Sequence, residues 1–288
     1  MDAELSLACL KRPNARIPRT VPDYNEKYLP FWEHLEALRW HIVRSLIAIL
    51  STTLAALLSG KSVFHTLVLG PSRPDFWTYR VLSRVSEWLD APALCIYQPL
   101  LTLQSRELAG QLTMHVHVAL VTGLVNAFPY VLWELWRFVK PSIPLNRQGV
   151  AKASIFMISL LFILGLLFGY YIITPLAIHF LANYQLDPSI VNRFDLVSYV
   201  STVATLTLAC AFMFQLPVAT YLLARIGIVT AHDMRTYRRH TSVAILILAA
   251  IITPPDVMSQ LLVAVPLLLL YQCSVLITQF VENRNYTK

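Results

Sequence analysis

Apolar residues gather in long blocks along the chain, separated by polar stretches that hold most of its charge. Blocks at about 40–60, 113–139, 153–181, 199–223 and 257–281 each approach or exceed the roughly 20 residues that an α-helix needs to cross a bilayer core. Pro129, Pro175 and Pro217 fall inside them. A proline removes a backbone donor, but neighbouring helices can satisfy the freed carbonyl, so the pattern predicts kinked spans. Another block, 241–253, has only 13 residues, or about 20 Å of helix, against a hydrocarbon core about 30 Å thick. Pro254-Pro255-Asp256 separates it from the last block, which predicts a tight helical hairpin that thins the bilayer or shelters behind other helices. The outer loop from about 61 to 112 contains Pro71, Pro74, Pro92 and Pro99. Its apolar patches at 63–69 and 81–89 are too short to cross and predict amphipathic helices lying on the membrane surface.

Composition agrees with this pattern. Of 288 residues, 56% are hydrophobic and 14% charged, where a soluble domain carries about a quarter charged. Too little polar surface remains for a soluble fold, and the predicted class is an all-α integral membrane protein with six transmembrane helices, the last two short. The net charge is +7, but the basic residues sit between the apolar blocks, so topology explains them better than nucleic-acid binding. One side collects 17 of the 23 lysines and arginines, and Lys61, Arg73, Arg80, Arg84, Arg106 and Arg193 make up the other. By the positive-inside rule both termini are expected in the cytoplasm, with a tail at 1–30, a membrane domain at 31–281 and a second tail at 282–288. The first 38 residues read as polar and basic, without a cleavable signal peptide. Cys9, Cys95, Cys210 and Cys273 show no CxxC spacing, which argues against a disulfide framework or a metal site.

No catalytic signature is present: no GxSxG, Walker loop, HExxH or EF-hand pattern. His115 and His117 are two apart and so face different sides of a helix, which disfavours a shared metal. Glu134, between Trp133 and Trp136, reads equally as an interfacial anchor and as a functional carboxylate. The run Phe31-Trp32-Glu33-His34-Leu35-Glu36-Ala37-Leu38-Arg39-Trp40-His41 leads into the first span. Glu33 and Glu36 are three apart and share a helix face, which suits a helix N-terminus facing positive macrodipole charge. Two readings stand: a charged helix start, or an acidic patch that receives a basic peptide through bidentate Arg–carboxylate bonds.

His34-Leu35-Glu36-Ala37-Leu38-Arg39 resembles the HLEELR motif of the TatC family, the multispanning subunit of the twin-arginine protein translocase. Phe128-Pro129 and Trp136-Arg137-Phe138-Val139-Lys140-Pro141 resemble the end of that family's second span and its first cytoplasmic loop. Phe162 to Pro175, with Gly165, Gly169 and Tyr170, is similar to the third span. Thr253-Pro254-Pro255-Asp256-Val257-Met258-Ser259-Gln260 resembles the family's TPPDxxSQ turn, followed by Pro266 and Leu270-Tyr271. The resemblance covers about residues 31 to 281 in order and spacing.

The resemblance implies a glove-shaped six-helix bundle in the bacterial inner membrane that binds twin-arginine signal peptides of folded precursors. It implies work with single-span TatA-type and TatB-type partners in an oligomeric complex surrounded by lipid, driven by the proton-motive force. It implies no enzymatic chemistry, cofactor, metal or nucleic acid. Glu33, Glu36, Arg39, Phe138 and Pro141 become the candidate signal-peptide residues. Pro71, Pro254, Pro255, Asp256 and Gln260 become structural turns, and Gln215 an intramembrane polar group. Four positions that are usually acidic in the family are not acidic here: Ala37, the loop around Arg147, Gln215 and Gln272. Losing carboxylates weakens the attraction for guanidinium groups. Replacing two buried Glu by Gln relieves a desolvation cost, so the fold need not suffer. The alternative function is a degenerate paralogue that assembles without binding signal peptides. A solute transporter is disfavoured by the scarcity of intramembrane charge and the lack of an inverted repeat.

Overall fold

The computed structural model describes residues 31–88, 102–139, 148–187, 189, 192–226, 229–253 and 257–286. The candidate residues Pro141, Pro254, Pro255 and Asp256 lie outside them, as does Arg147. In chain order the helices are α1 (Phe31–Leu58), α2 (Gly60–Val63), α3 (Trp77–Trp88), α4 (Gly110–Val139), α5 (Gln148–Phe168), α6 (Thr174–Asn183), α7 (Leu196–Met213), α8 (Leu216–Ile226), α9 (Ala231–Thr236), α10 (Arg238–Ile252) and α11 (Val257–Tyr286). Single π-helical turns at Phe64–Val68 and Gly169–Ile173 follow α2 and α5. Two short strands, β1 (Leu103–Gln104) and β2 (Phe194–Asp195), pair in parallel with Leu103 opposite Phe194. Packing divides the chain into Met1–Arg39 and Trp40–Lys288, with the boundary inside α1.

Among the described residues, five helical stretches are long and apolar enough to cross a membrane: Leu38–Leu58, Gly110–Phe138, Phe156–Asn183, Leu196–Ala224 and Ser259–Phe280. The short fifth apolar block, 241–253, falls in α10, whose 15 residues extend about 22 Å and fall short of a full span. Large apolar side chains such as Leu46, Leu50, Phe156, Ile163, Ile247 and Leu269 are exposed along these helices. A surface of that kind is stable in lipid rather than in water.

The prolines behave in two ways. Pro129 and Pro266 stay inside α4 and α11. Pro217, expected as a kink within one span, instead lies in the first turn of a new helix, because α7 ends at Met213 and α8 begins at Leu216. There its missing N–H leaves no hydrogen bond unmade. Pro175 occupies the same kind of position at the start of α6, after the π-helical turn.

Two glycines let α5 and its π-helical turn approach α7 closely. A Cβ on Gly165 would stand 2.7 Å from Phe214 Cβ and 2.8 Å from the Cys210 carbonyl oxygen. A Cβ on Gly169 would stand 2.8 Å from Cys210 Cβ, so α5 and its π-helical turn press directly on α7. One buried cluster joins Leu206 and Cys210 of α7 to Met234, Ile245, Ala249, Val263, Leu267 and Tyr271 of α9, α10 and α11. A second joins Val68 to Met114, Val118, Ile178, Tyr199 and Val203.

The outer segment after α1, where the amphipathic pattern suggested surface-lying helices, is tied to the rest of the fold by hydrogen bonds. Its carbonyls are held by hydroxyls from elsewhere in the fold. Tyr170 Oη donates to the Leu67 carbonyl at 2.8 Å, and Tyr199 Oη to that of Val68 at 2.9 Å. Tyr79 of α3 donates to the Pro71 carbonyl at 3.0 Å and lies 3.3 Å from that of Pro175. Thr78 Oγ1 donates to the Tyr171 carbonyl. Irregular and π-helical turns leave carbonyls without intrahelical partners, and these hydroxyls satisfy them. Pro71 is fully buried at the centre of this arrangement.

Candidate functional site

Glu36 and Arg39 lie on the first turns of α1, and both are exposed. Glu33 is on the same helix, three residues earlier. Among the described residues, no basic side chain forms an ion pair with the exposed Glu36.

The second unit carries a charged cluster of its own. Glu134 of α4 is only 1% exposed, and its Oε1 lies 2.8 Å from His41 Nδ1 and 3.2 Å from Arg44 Nη1, both on α1. His41 and Arg44 are three apart and so share a face, and that face meets α4. Phe138, one turn beyond Glu134, meets the His41 ring edge-on at a centroid distance of 5.8 Å. A buried carboxylate is costly unless it is paired, and the His41 imidazole and the Arg44 guanidinium converge on the same oxygen. Among the described residues, Glu134 Oε2 is buried with no hydrogen-bond partner. The outer side of the same stretch is aromatic, with the Arg137 guanidinium 6.0 Å from the Trp133 ring centroid. This combination of aromatic and basic side chains suits a membrane interface.

Of the other candidates, Gln260 Nε2 donates to the Leu246 carbonyl at 3.1 Å and so ties α11 to α10. Gln215 occupies the break between α7 and α8. Its Nε2 makes a long 3.4 Å bond to the Ala211 carbonyl, and its Oε1 is buried without a partner among the described residues. Gln272, with its amide oxygen turned toward α10, accepts from Arg238 Nε and Nη2, both at 2.9 Å. Phe138 is therefore brought against His41, while Glu36 and Arg39 belong to the first unit and Pro141 lies outside the described residues.

Sequence reasoning missed His41 and Arg44 as partners of Glu134. The available signal was their three-residue spacing at the head of an otherwise apolar span, where unpaired charge is rare. The histidine pair near the start of α4 separates as its spacing implied: His115 packs against Gly60 and His117 is exposed.

A family model described as Sec-independent protein translocase protein (TatC) matches residues 33–266. The chain is 33% identical to the Sec-independent protein translocase protein TatC of Blattabacterium sp. subsp. Periplaneta americana over 90% of this chain and 99% of that one. It is 31% identical to TatC of Aquifex aeolicus over 89% of this chain and 97% of that one. Among solved structures, it is similar to a crystal structure of the twin arginine translocase receptor TatC, with a TM-score of 0.68 and 29% identity over 87% of this chain and 100% of that one.

Proposed function

Since the chain belongs to the TatC family of Sec-independent protein translocase proteins, we propose that it is the subunit that binds twin-arginine signal peptides of folded precursors. It is a multi-pass membrane component of a protein translocase and not an enzyme. The observation that carries the binding role is the likeness over the full length of a structure described as a twin-arginine translocase receptor. The exposed Glu36 supports it chemically, because a carboxylate offers a guanidinium charge-assisted and frequently bidentate hydrogen bonds.

In this reading Glu33, Glu36, Arg39, Phe138 and Pro141 contact the signal peptide on the cytoplasmic side. Pro71, Pro254, Pro255, Asp256 and Gln260 shape the turns, and Gln215 is the polar group within the bundle. The distribution of lysine and arginine supports cytoplasmic termini, with tails at 1–30 and 282–288. TatA-type and TatB-type single-span subunits are the assigned partners in an oligomeric complex, and the proton-motive force is the energy source.

The test is co-purification in detergent of the full chain with a precursor bearing a twin-Arg signal peptide, against the same precursor with twin Lys. Preferential capture of the twin-Arg form, reduced by Glu36→Gln, is the expected result. Equal capture of both forms would leave the family membership intact and favour a structural paralogue with an assembly role.

A further inference from the structure

We propose that the cleft between α9, α10 and α11 binds a phosphodiester anion, and that its source is the headgroup of an anionic phospholipid. The cleft has a volume of about 450 Å³ and is lined by Met234, Arg235, Arg238, Gln272, Val275 and Leu276. Its lining combines two kinds of chemistry: two guanidinium groups and an amide, together with three apolar side chains. A headgroup with the start of an acyl chain matches that combination, whereas a free anion uses only the polar groups.

Among the described residues, no carboxylate neutralises the charge in this cleft. Arg238 turns a fork of two donors, Nε and Nη2, onto the single Gln272 amide oxygen, and that acceptor is neutral. Among the described residues, no carboxylate lies within ion-pair distance of Arg235 or Arg238. Asp233 of α9 and Glu282 of α11 are engaged in other hydrogen bonds. Asp233 forms a capping box with Thr230, accepting from its hydroxyl at 2.6 Å and its N–H at 3.1 Å. Those bonds hold the Asp233 carboxyl below the usual carboxylate range. Glu282 accepts from the Ala231 N–H at 2.8 Å, and so caps α9 from α11.

The site is also rigid. Tyr271 Oη donates to the Met234 carbonyl at 2.5 Å, and Thr278 Oγ1 lies 3.5 Å from Met234 Sδ, which fixes α9 against α11. The short length of α10 adds a membrane argument. Arg238 is its first residue, and a helix of 15 residues cannot place both ends at the headgroup level of an undeformed bilayer. The adjoining leaflet thins toward Arg238, which brings phosphates to the arginines. The inference does not depend on signal-peptide binding.

The experiment uses the full chain in detergent, titrated with phosphatidylglycerol or phosphatidylcholine and read by native mass spectrometry and thermal unfolding. Retention of phosphatidylglycerol is expected to exceed that of phosphatidylcholine by roughly five-fold or more, about the effect of one or two basic residues at an anionic surface. Arg235→Gln is expected to remove most of that preference. Arg238→Gln also breaks the bond to α11, so Gln272→Glu is the decisive variant. It gives Arg238 an internal carboxylate in the same fork, and is expected to abolish the preference while the thermal midpoint is kept or raised. An undiminished preference in both Arg235→Gln and Gln272→Glu would overturn the site. Equal protection by inorganic phosphate alone would overturn the lipid assignment in favour of a free anion.

Discussion

His41 Nδ1 lies 2.8 Å from Glu134 Oε1 across 93 residues of sequence, and this contact fastens the head of the first span to the end of the second. Arg44 approaches the same oxygen at 3.2 Å but remains half exposed, so its charge can still reach water. Glu134 has no such route, being 1% exposed. The consequences of mutation are therefore unequal for the two sides of the pair. Removing both partners, as in His41→Ala with Arg44→Ala, strands a buried carboxylate and is expected to cost about 3–5 kcal/mol. Glu134→Gln keeps an acceptor and strands no buried anion, so about 1 kcal/mol is expected. Thermal unfolding in detergent should rank the double variant well below Glu134→Gln. The opposite order would mean that packing, not charge pairing, joins the two helices.

Gly165 tests how tightly α5 and α7 are packed. Alanine at a helix position gains about 1 kcal/mol over glycine in intrinsic propensity. Here the added methyl would meet the Cys210 carbonyl oxygen at 2.8 Å, and a helix backbone cannot yield as a flexible side chain does. Overpacking of this kind costs about 1–3 kcal/mol, so Gly165→Ala is expected to be destabilised on balance. Leu164→Ala, on an exposed position of the same helix, provides the comparison and should change the unfolding midpoint far less.

Much of this architecture was legible in the sequence because a bilayer imposes a length requirement on apolar runs. The five spanning stretches and the shortness of α10 both follow from counting residues. What could not be read depends on distant partners or on one of several permitted backbone choices. Pro217 is compatible with a kinked span or a helix start, and only the break at Phe214 and Gln215 decides between them. The tyrosines at 79, 170 and 199 resemble interfacial aromatics in sequence, since their carbonyl acceptors lie 8 to 131 residues away. Within the candidate site, Glu36 was visible as an acid at a helix start, whereas the closure of His41 and Arg44 on Glu134 was not. The Arg238–Gln272 fork was hidden similarly, by separation and by an amide in place of an acid.

Tyr79 gives a prediction in pH. Its hydroxyl is buried between the Pro71 and Pro175 carbonyls, and burial pushes its pKa up to about 12. Because the folded value exceeds the unfolded value near 10, the neutral hydroxyl's contribution is complete below pH 10. It is lost as pH rises toward 12, where the unfolded chain ionises first. The wild-type protein should therefore lose stability over that interval more steeply than Tyr79→Phe. At neutral pH the same variant should be weaker by about 1 kcal/mol, the ordinary worth of a lost hydrogen bond. Parallel pH curves for the two proteins would show that the hydroxyl is not buried in solution.

Gln215 separates stability from function. Its amide makes one long bond, to Ala211, while its Oε1 is enclosed without a partner among the described residues. An amide oxygen buried in that state costs about 1–3 kcal/mol relative to an apolar group of similar shape. Gln215→Leu should therefore unfold no earlier than the wild type, and a rise in midpoint is the stronger outcome. If Gln215 also serves translocation, export of a twin-arginine substrate should fall in the same variant. A stable protein with reduced export would identify the amide as a group retained for transport at a cost to the fold. Lower stability would mean that a ligand, lipid or partner subunit satisfies Oε1 in the membrane.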